Sequence, residues 1–314
     1  MAVQVAEYLG QRTDVDDRDI QPIALGEKHL CPFMDGYCSK LSKKLQPVCS
    51  VRKKNGTMWI VCEHRLCATP KTKKENIDGK AITVKAQLTP HQEEVLWKIA
   101  KTVYRGEFDK SDIVVNREAP IPIEETGGSY KADYIMRNLA IGAKIDEILL
   151  EMQGGGETSQ TKHISDHVSK WARLDKSTNE YLRQLLPKPN SIETNAWRRQ
   201  QEQFLVKGNI VNQTGGKIVF AIGNLIYDYL YPRVSRANLR DLKEHNWTLC
   251  LLGIKEDTSK PRTFGPIPLT VDEDRTLFTN YSTFVRTLTD QGGPEPSIFK
   301  GKFLSLSGED VEIK

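Results

Sequence analysis

Two short runs, "KIVFAIG" (217–223) and "WTLCLLGIK" (247–255), are apolar at nearly every position. A strand with one wet face alternates apolar and polar residues, whereas a continuous run of this length fits a strand covered on both faces. Such strands lie in the middle of a sheet flanked by helices, which confines the chain to an α/β arrangement. A third segment, "EILLEMQGGG" (147–156), carries the same signal in Ile148, Leu149, Leu150 and Met152. It also contains Glu151 and, one alternation later, Gln153. A carboxylate inside a sheet is costly unless it is paired or bound to a metal. The glycines that follow, Gly154, Gly155 and Gly156, let the strand end bend and let a bulky ligand reach the backbone.

The remaining elements are read around these strands. "TPHQEEVLWKIAKTVYRG" has Thr89 as N-cap, Pro90 at the first helical position and Gln92 completing a capping box. Its apolar stripe is Val95, Leu96, Ile99, Ala100 and Val103, and Gly106 stops it. Residues 80–88 read as a short extended lead-in, and "REAPIPIEETGG" as a connection punctuated by Pro and Gly. "SYKADYIMRNLAI" and "KIDEILLEMQ" form a strand pair. "TKHISDHVSKWARLDKS" places Ile164, Val168, Trp171 and Leu174 on one helical face. "SIETNAWRRQQEQFLVKG" is a further helix, capped by Ser191 or Thr194 and closed by Gly208. The sum is a mixed central sheet flanked by helices, with an N-terminal cysteine-rich region (1–78) ahead of a main domain and C-terminal extension (79–314).

At 314 residues, 38% hydrophobic and 27% charged, the chain has an ordinary globular composition. No run is long enough to span a membrane, and the N-terminus lacks a signal pattern, so a cytoplasmic protein is expected. The net charge of +4 is unevenly spread. Residues 39–75 hold ten Lys and Arg against Glu63 and Glu75, while residues 107–157 hold eleven Asp and Glu against five basic side chains. A basic platform for a polyanion beside an acidic pocket for a cation would have this pattern.

Five of the six cysteines (Cys31, Cys38, Cys49, Cys62 and Cys67) fall in one stretch. In a reducing compartment such clustering points to a metal, and four thiolates suit zinc and iron alike. Five candidates compete for four places. Cys250, in an apolar run, reads as an inert core thiol.

Asp133 lies in the first strand of the expected pair and Glu151 in the second, so both carboxylates can converge at one end of the sheet, with Gln153 on the face of Glu151. Two convergent carboxylates call for a divalent cation, and Mg²⁺ fits: it takes one or two carboxylates and accepts a phosphate oxygen. Asp…Glu-x-Gln is a variant of the Asp…(Asp/Glu)-x-Lys nuclease signature, in which a metal-bound water attacks a phosphodiester. Gln153 could orient that water but cannot carry the lysine's charge.

Taken together, "CPFMDGYC", "PVCSV", "WIVCEHRLC", Asp133 and "LLEMQGGG" resemble the NotI/EagI group of type II restriction endonucleases. "NAWRRQQEQFLVKGNIV" and "KIVFAIGNLIYDYL" are similar to the helix-then-strand segment of that group, so the resemblance covers roughly residues 31–230. It implies a restriction-endonuclease-like core with an N-terminal four-cysteine knot. Cys31, Cys38, Cys49 and Cys62 would hold structural iron or zinc, leaving Cys67 out. Asp133 and Glu151 would hold Mg²⁺, and Gln153 would stand in the lysine position; Ala132 replaces the Pro of the broader signature. The implied activity is Mg²⁺-dependent double-strand cleavage of DNA at a GC-rich palindrome with a GGCC centre, by a homodimer. Arg198, Arg199, Arg52, Lys53 and Lys54 are the candidate DNA contacts, to bases or phosphates.

Other features read as structural. His163 and His167 share a helical face without a third ligand, Glu93 and Glu94 as solvent-facing, and Trp171 and Trp197 as core anchors. Two rival functions remain open: an iron–sulfur repair exonuclease with the same core, and a non-catalytic DNA-binding protein. The first would have cysteines flanking the nuclease motif, whereas here they precede it.

Overall fold

The two apolar runs lie side by side in the middle of a six-stranded sheet. The computed structural model describes residues 2–122, 128–142, 147–154, 162–187, 203–290, 292–293 and 295–314. From the N-terminus the strands are β1 (Ala2–Tyr8), β2 (Gln11–Arg12), β3 (Ser50–Lys53), β4 (Met58–Ile60), β5 (Thr72–Ile77) and β6 (Lys80–Lys85). Helix α1 (Pro90–Val103) leads to β7 (Ile113–Pro122), β8 (Ser129–Asn138) and β9 (Glu147–Gln153). Helices α2 (Lys162–Trp171) and α3 (Asn179–Leu182) and the short β10 (Leu186–Pro187) precede β11 (Ile218–Gly223), β12 (Leu249–Glu256) and β13 (Leu269–Thr279). A hairpin, β14 (Gly301–Leu304) and β15 (Asp310–Ile313), ends the chain.

The main sheet runs β13-β12-β11-β9-β8-β7. Its centre, β9-β11-β12, is parallel; the β7-β8-β9 side and the β13 edge are antiparallel. Every residue of β11 is buried because alternate side chains enter two different cores. Ile218, Phe220 and Ile222 join Ile164, Val168 and Trp171 of α2 on one face. Val219 and Ala221 join Val95, Leu96, Ile99 and Val103 of α1 on the other. Helix α1 starts at the expected capping box, with Thr89 and Gln92 bonding reciprocally.

Several expectations need correction. The Pro-rich stretch 117–122 belongs to strand β7 rather than to a connection. Because β7 is an edge strand, Pro120 and Pro122 remove no ladder hydrogen bond the sheet requires. Helix α2 ends at Trp171, so Leu174 lies beyond it and is exposed. Gly208 does not close a helix. A π-helical turn over Gln203–Lys207 continues into the helix Gly208–Gln213. Gly208 is needed there because the Tyr281 ring occupies the space of its missing side chain, 2.4 Å from an ideal Cβ. Ser191, Thr194 and Trp197 lie outside the described residues.

The N-terminal region does not stand apart. Strands β1, β2, β3, β4 and β10 form a second sheet, and Val3, Val5, Tyr8, Val51 and Trp59 enter the core that also holds Phe220 and Trp171. The expected division near residue 78 falls on the Asp78-Gly79 turn of the β5–β6 hairpin, where both residues have positive φ (52° and 76°). Asp-Gly is suited to that backbone.

The second sheet is locked to the first by a buried ion pair. Arg65, in the turn Glu63–Leu66, donates from Nε to Glu7 Oε2 at 2.7 Å, and neither side chain has exposed surface. Ser50 Oγ donates to the same oxygen at 2.6 Å, and the Ile267 backbone N–H donates to Glu7 Oε1 at 2.8 Å. Arg65 Nη2 donates to the Ile267 carbonyl. Removing one charge strands the other in a dry environment, which costs about 3–5 kcal/mol. Arg65→Met is expected to lower the unfolding free energy by about that amount, and the double variant Glu7→Leu/Arg65→Met to recover most of it. Urea denaturation of the three proteins checks this.

Candidate active site and cysteine cluster

Strand alternation puts Glu151 and Gln153 on one face of β9, beside Phe220 and Ile222 of the parallel strand β11. Leu150 and Met152 point into the opposite core. Glu151 has no exposed surface and Gln153 is 2% exposed. Strand β8 pairs antiparallel with β9 and brings Asp133 alongside, where the Met152 backbone N–H donates to Asp133 Oδ2 at 2.8 Å. The expected strand pair therefore forms and brings the two acids together.

Lys207 completes the group, and the sequence reading did not foresee it. From the end of the π-helical turn its ammonium donates to both Glu151 oxygens, at 2.9 and 2.8 Å, and it too is buried. Gln153 Nε2 lies 3.5 Å from Glu151 Oε2 and from Gln203 Oε1, contacts at the limit of a hydrogen bond. Burial, reinforced by the Asp133 carboxylate, pushes Glu151 up to about 8, with Lys207 pulling the other way. Asp133 is raised as well, mainly by burial, with Glu118 and Glu63 adding to it while the Met152 N–H and Lys207 oppose. No local pattern marks Lys207, because it reaches Glu151 from 56 residues away.

Asp133, Gln153 and Gly154 open into a cleft of about 380 Å³, whose walls include Glu63, His64, Thr69, Pro70 and Glu118. Gly155 and Gly156 lie outside the described residues.

The cysteines gather behind one wall of this cleft. The Cys31–Cys38 turn is closed by Cys31 N–H donating to the Gly36 carbonyl and Cys38 N–H to the His29 carbonyl, each at 2.8 Å. Cys49 and Cys62 flank the β3–β4 hairpin, and the Cys62 N–H donates to the Cys49 carbonyl at 3.1 Å. The thiols feel one another. Burial pushes Cys31 up to about 11, with Cys38 contributing. Burial lifts Cys49 well above its ordinary range, helped by Cys62 and Cys31. Cys62 rises to about 12 through burial, with Cys31 adding to it. Cys67 is raised to about 12 by burial with no cysteine neighbour contributing, and Cys250 is buried in the main sheet. Cys31, Cys38 and Cys49 share one small cluster with Phe33, whereas Cys67 packs in the main core. Among the described residues, however, no three His, Cys, Asp or Glu side chains stand ready-formed around a metal position.

The remaining candidates disperse. Arg52 is tied to Glu256 at 2.6 Å and lies 3.6 Å from Asp14. Lys53 pairs with Asp228 at 3.1 Å and lies over the Trp59 ring. Lys54 is exposed, and Arg198 and Arg199 lie outside the described residues. His163 and His167 each bond a backbone carbonyl (Pro187 and Tyr181), and Trp171 is a core residue. Glu93 and Glu94 pair with Lys110 and Lys98 on the surface of α1.

The raised Glu151 has a stability consequence with a definite sign. Between its ordinary value of 4.5 and about 8, the folded protein holds a proton that the unfolded chain releases, so stability falls as pH rises through that window. With EDTA present, the Tm of the parent protein is expected to drop between pH 5 and pH 9 more than that of Glu151→Gln; equal slopes would contradict the shift. Compared with known protein families and with curated protein sequences, the chain matches none.

Proposed function

We propose that this chain is a Mg²⁺-dependent site-specific deoxyribonuclease of the type II restriction kind, cutting both strands of a GC-rich palindrome with a GGCC centre as a cytoplasmic homodimer. The observation that carries the reading is the convergence of Asp133, Glu151, Gln153 and Lys207 around the end of β9, where Asp133 and Gln153 line a cleft and Glu151 and Lys207 lie buried behind them. The order of elements supports it: α1, the β7-β8-β9 meander, α2, then β11 parallel to β9.

Asp133 and Glu151 would hold the Mg²⁺, which when bound polarises a phosphodiester and lowers the pKa of a water. The donor set fits: both groups are carboxylates, the hard oxygen ligands that Mg²⁺ takes, and a bound cation would favour the ionised forms that burial disfavours. Gln153 offers an amide that can orient a water, and Lys207 restores the positive charge that Gln153 lacks relative to a Glu-x-Lys motif. In the protein as it stands, Lys207 neutralises Glu151. Beside a bound phosphodiester, the same ammonium is placed to balance charge developing on phosphate oxygens. Cys31, Cys38, Cys49 and Cys62 would hold the structural iron or zinc: Cys31, Cys38 and Cys49 pack in one small cluster, and the Cys62 N–H donates to the Cys49 carbonyl.

The deciding experiment is digestion of closed circular plasmids carrying GC-rich palindromes, with and without Mg²⁺, followed by sequencing of the ends. Discrete fragments sharing one palindrome, seen only with Mg²⁺, are expected. Circles left intact while linear DNA is degraded would indicate an exonuclease, and no cutting of either would leave a binding protein. Asp133→Ala and Glu151→Ala are expected to abolish cutting while DNA binding persists. Lys207→Met is expected to slow it by roughly 10²-fold or more, the size of a lost electrostatic contact to a transition state. Cys49→Ala is expected to lower Tm and metal content together; normal values of both would remove Cys49 from the ligand set.

A further inference from the structure

We propose that the β5–β6 hairpin is an arm that grips the sugar-phosphate backbone of duplex DNA beside the cleft; this rests on the reading of the cleft as a nuclease site. Among the described residues the hairpin pairs with no other strand, and six residues per strand give it a length of about 20 Å at ~3.3 Å per residue. It springs from the cleft wall itself. Thr69 and Pro70 line the cleft, and the N–H of the next residue, Lys71, donates to Glu118 Oε2 at 2.9 Å.

The two faces of the hairpin differ. Cross-strand pairing puts Lys73, Glu75, Ile77, Lys80, Ile82 and Val84 on one side, where Lys73, Glu75 and Val84 are half-buried and Ile77, Lys80 and Ile82, towards the tip, are exposed. That side is clamped down. Asp35, in the Cys31–Cys38 turn, accepts from Lys73 Nζ at 2.6 Å and from the Gln87 N–H at 2.8 Å. Arg117 of β7 donates to the carbonyls of Ala86 and Gln87 at the foot of the hairpin.

The other side carries Thr72, Lys74, Asn76, Ala81, Thr83 and Lys85, and all six are exposed. Its composition is two lysines among short side chains that hydrogen-bond or leave room, with no acid. Lys74 and Thr83 are direct cross-strand partners, as are Thr72 and Lys85, so the two charges are spread along the ribbon. A rigidly rooted ribbon with a flat cationic face suits a polyanion, and a two-stranded ribbon has the width to enter a DNA major groove. Its place at the mouth of a cleft built for one phosphodiester favours neighbouring phosphates of the same duplex as its partner. Asp35 is then a positioning residue, linking the cysteine turn to the arm.

The test is equilibrium binding of a fluorescein-labelled 30-base-pair duplex of mixed sequence to the full-length protein, without Mg²⁺, over a series of NaCl concentrations. Lys74→Gln/Lys85→Gln is expected to bind more weakly, with the slope of log K against log[salt] shallower by about 1.8, near 0.9 for each of two lost phosphate contacts. Lys74→Arg/Lys85→Arg is expected to keep the parent slope, and all three proteins the same Tm. Asp35→Ala, with both lysines intact, is expected to weaken binding in the same direction. Unchanged affinity and slope in Lys74→Gln/Lys85→Gln would overturn the proposal. So would failure of the parent to bind duplex, or tighter binding of a hairpin RNA than of the duplex. If the parent cuts plasmid and the slope does not move, the arm alone fails. If the slope moves and the parent never cuts, the arm stands and the nuclease reading fails.

Discussion

The cleft depends on a charge pair that never touches it. Glu7 and Arg65 lie wholly inside the protein, so each proton and lone pair they expose must find a protein partner. Those partners come from remote parts of the chain: Ser50 at the start of β3 and both backbone groups of Ile267 just before β13. A guanidinium has a rigid fork of donors, so the pair fixes orientation as well as distance. Arg65 sits in the turn that also supplies Glu63 and His64 to the cleft wall. The wall is thereby set by three stretches that could not otherwise keep register with one another.

Glu151 and Lys207 form a buried pair of a different kind. Glu7 has one cation and two further polar donors to itself, whereas Glu151 shares Lys207 with a second carboxylate nearby. Both acids are pushed upward, which means that the folded state resists their full ionisation. A fold under no demand but stability would place apolar residues at the end of a central strand. Instead two acids and one lysine stand there, with Asp133 reaching the cleft and Glu151 and Lys207 buried behind it. Glu63 and Glu118 stand along the cleft walls. The arrangement is stable enough to fold, yet keeps carboxyl groups at the point where a cation and a phosphate would meet.

What could be read in advance follows from how local each signal is. Helix α1 was legible to its capping box because every determinant lies within fifteen residues. Strands β11 and β12 were legible because burial on both faces leaves an apolar run, and β9 because four apolar residues surround its one buried acid. Asp133 and Glu151 were legible as a pair because a hairpin joins them. Strand β7 was hidden by prolines that only an edge position tolerates. The second sheet was hidden because β3 and β4 are three or four residues long and draw their core from strands elsewhere. Lys207 was hidden most completely, since its role depends on a π-helical turn and on a glycine that yields space to Tyr281.

The cysteine cluster gains its importance from what it is attached to. Burial keeps the Cys31, Cys49 and Cys62 thiols protonated, with neighbouring cysteines adding to it, so a metal taking them as thiolates would have to displace those protons, and its binding energy would become folding energy for the segment. That segment reaches the cleft by two routes. Cys62 immediately precedes the turn carrying Glu63 and His64, and the Cys31–Cys38 turn carries Asp35, which clamps the β5–β6 hairpin through Lys73 and Gln87. Neither route passes through Asp133 or Glu151, which are held by the main sheet. Acids and wall are therefore built on separate supports: the carboxylates on strands that fold by burial, the cleft wall and the β5–β6 hairpin on a segment held by the buried Glu7–Arg65 pair and by Asp35. Loss of the second support would leave the acids in place and remove the wall that faces them.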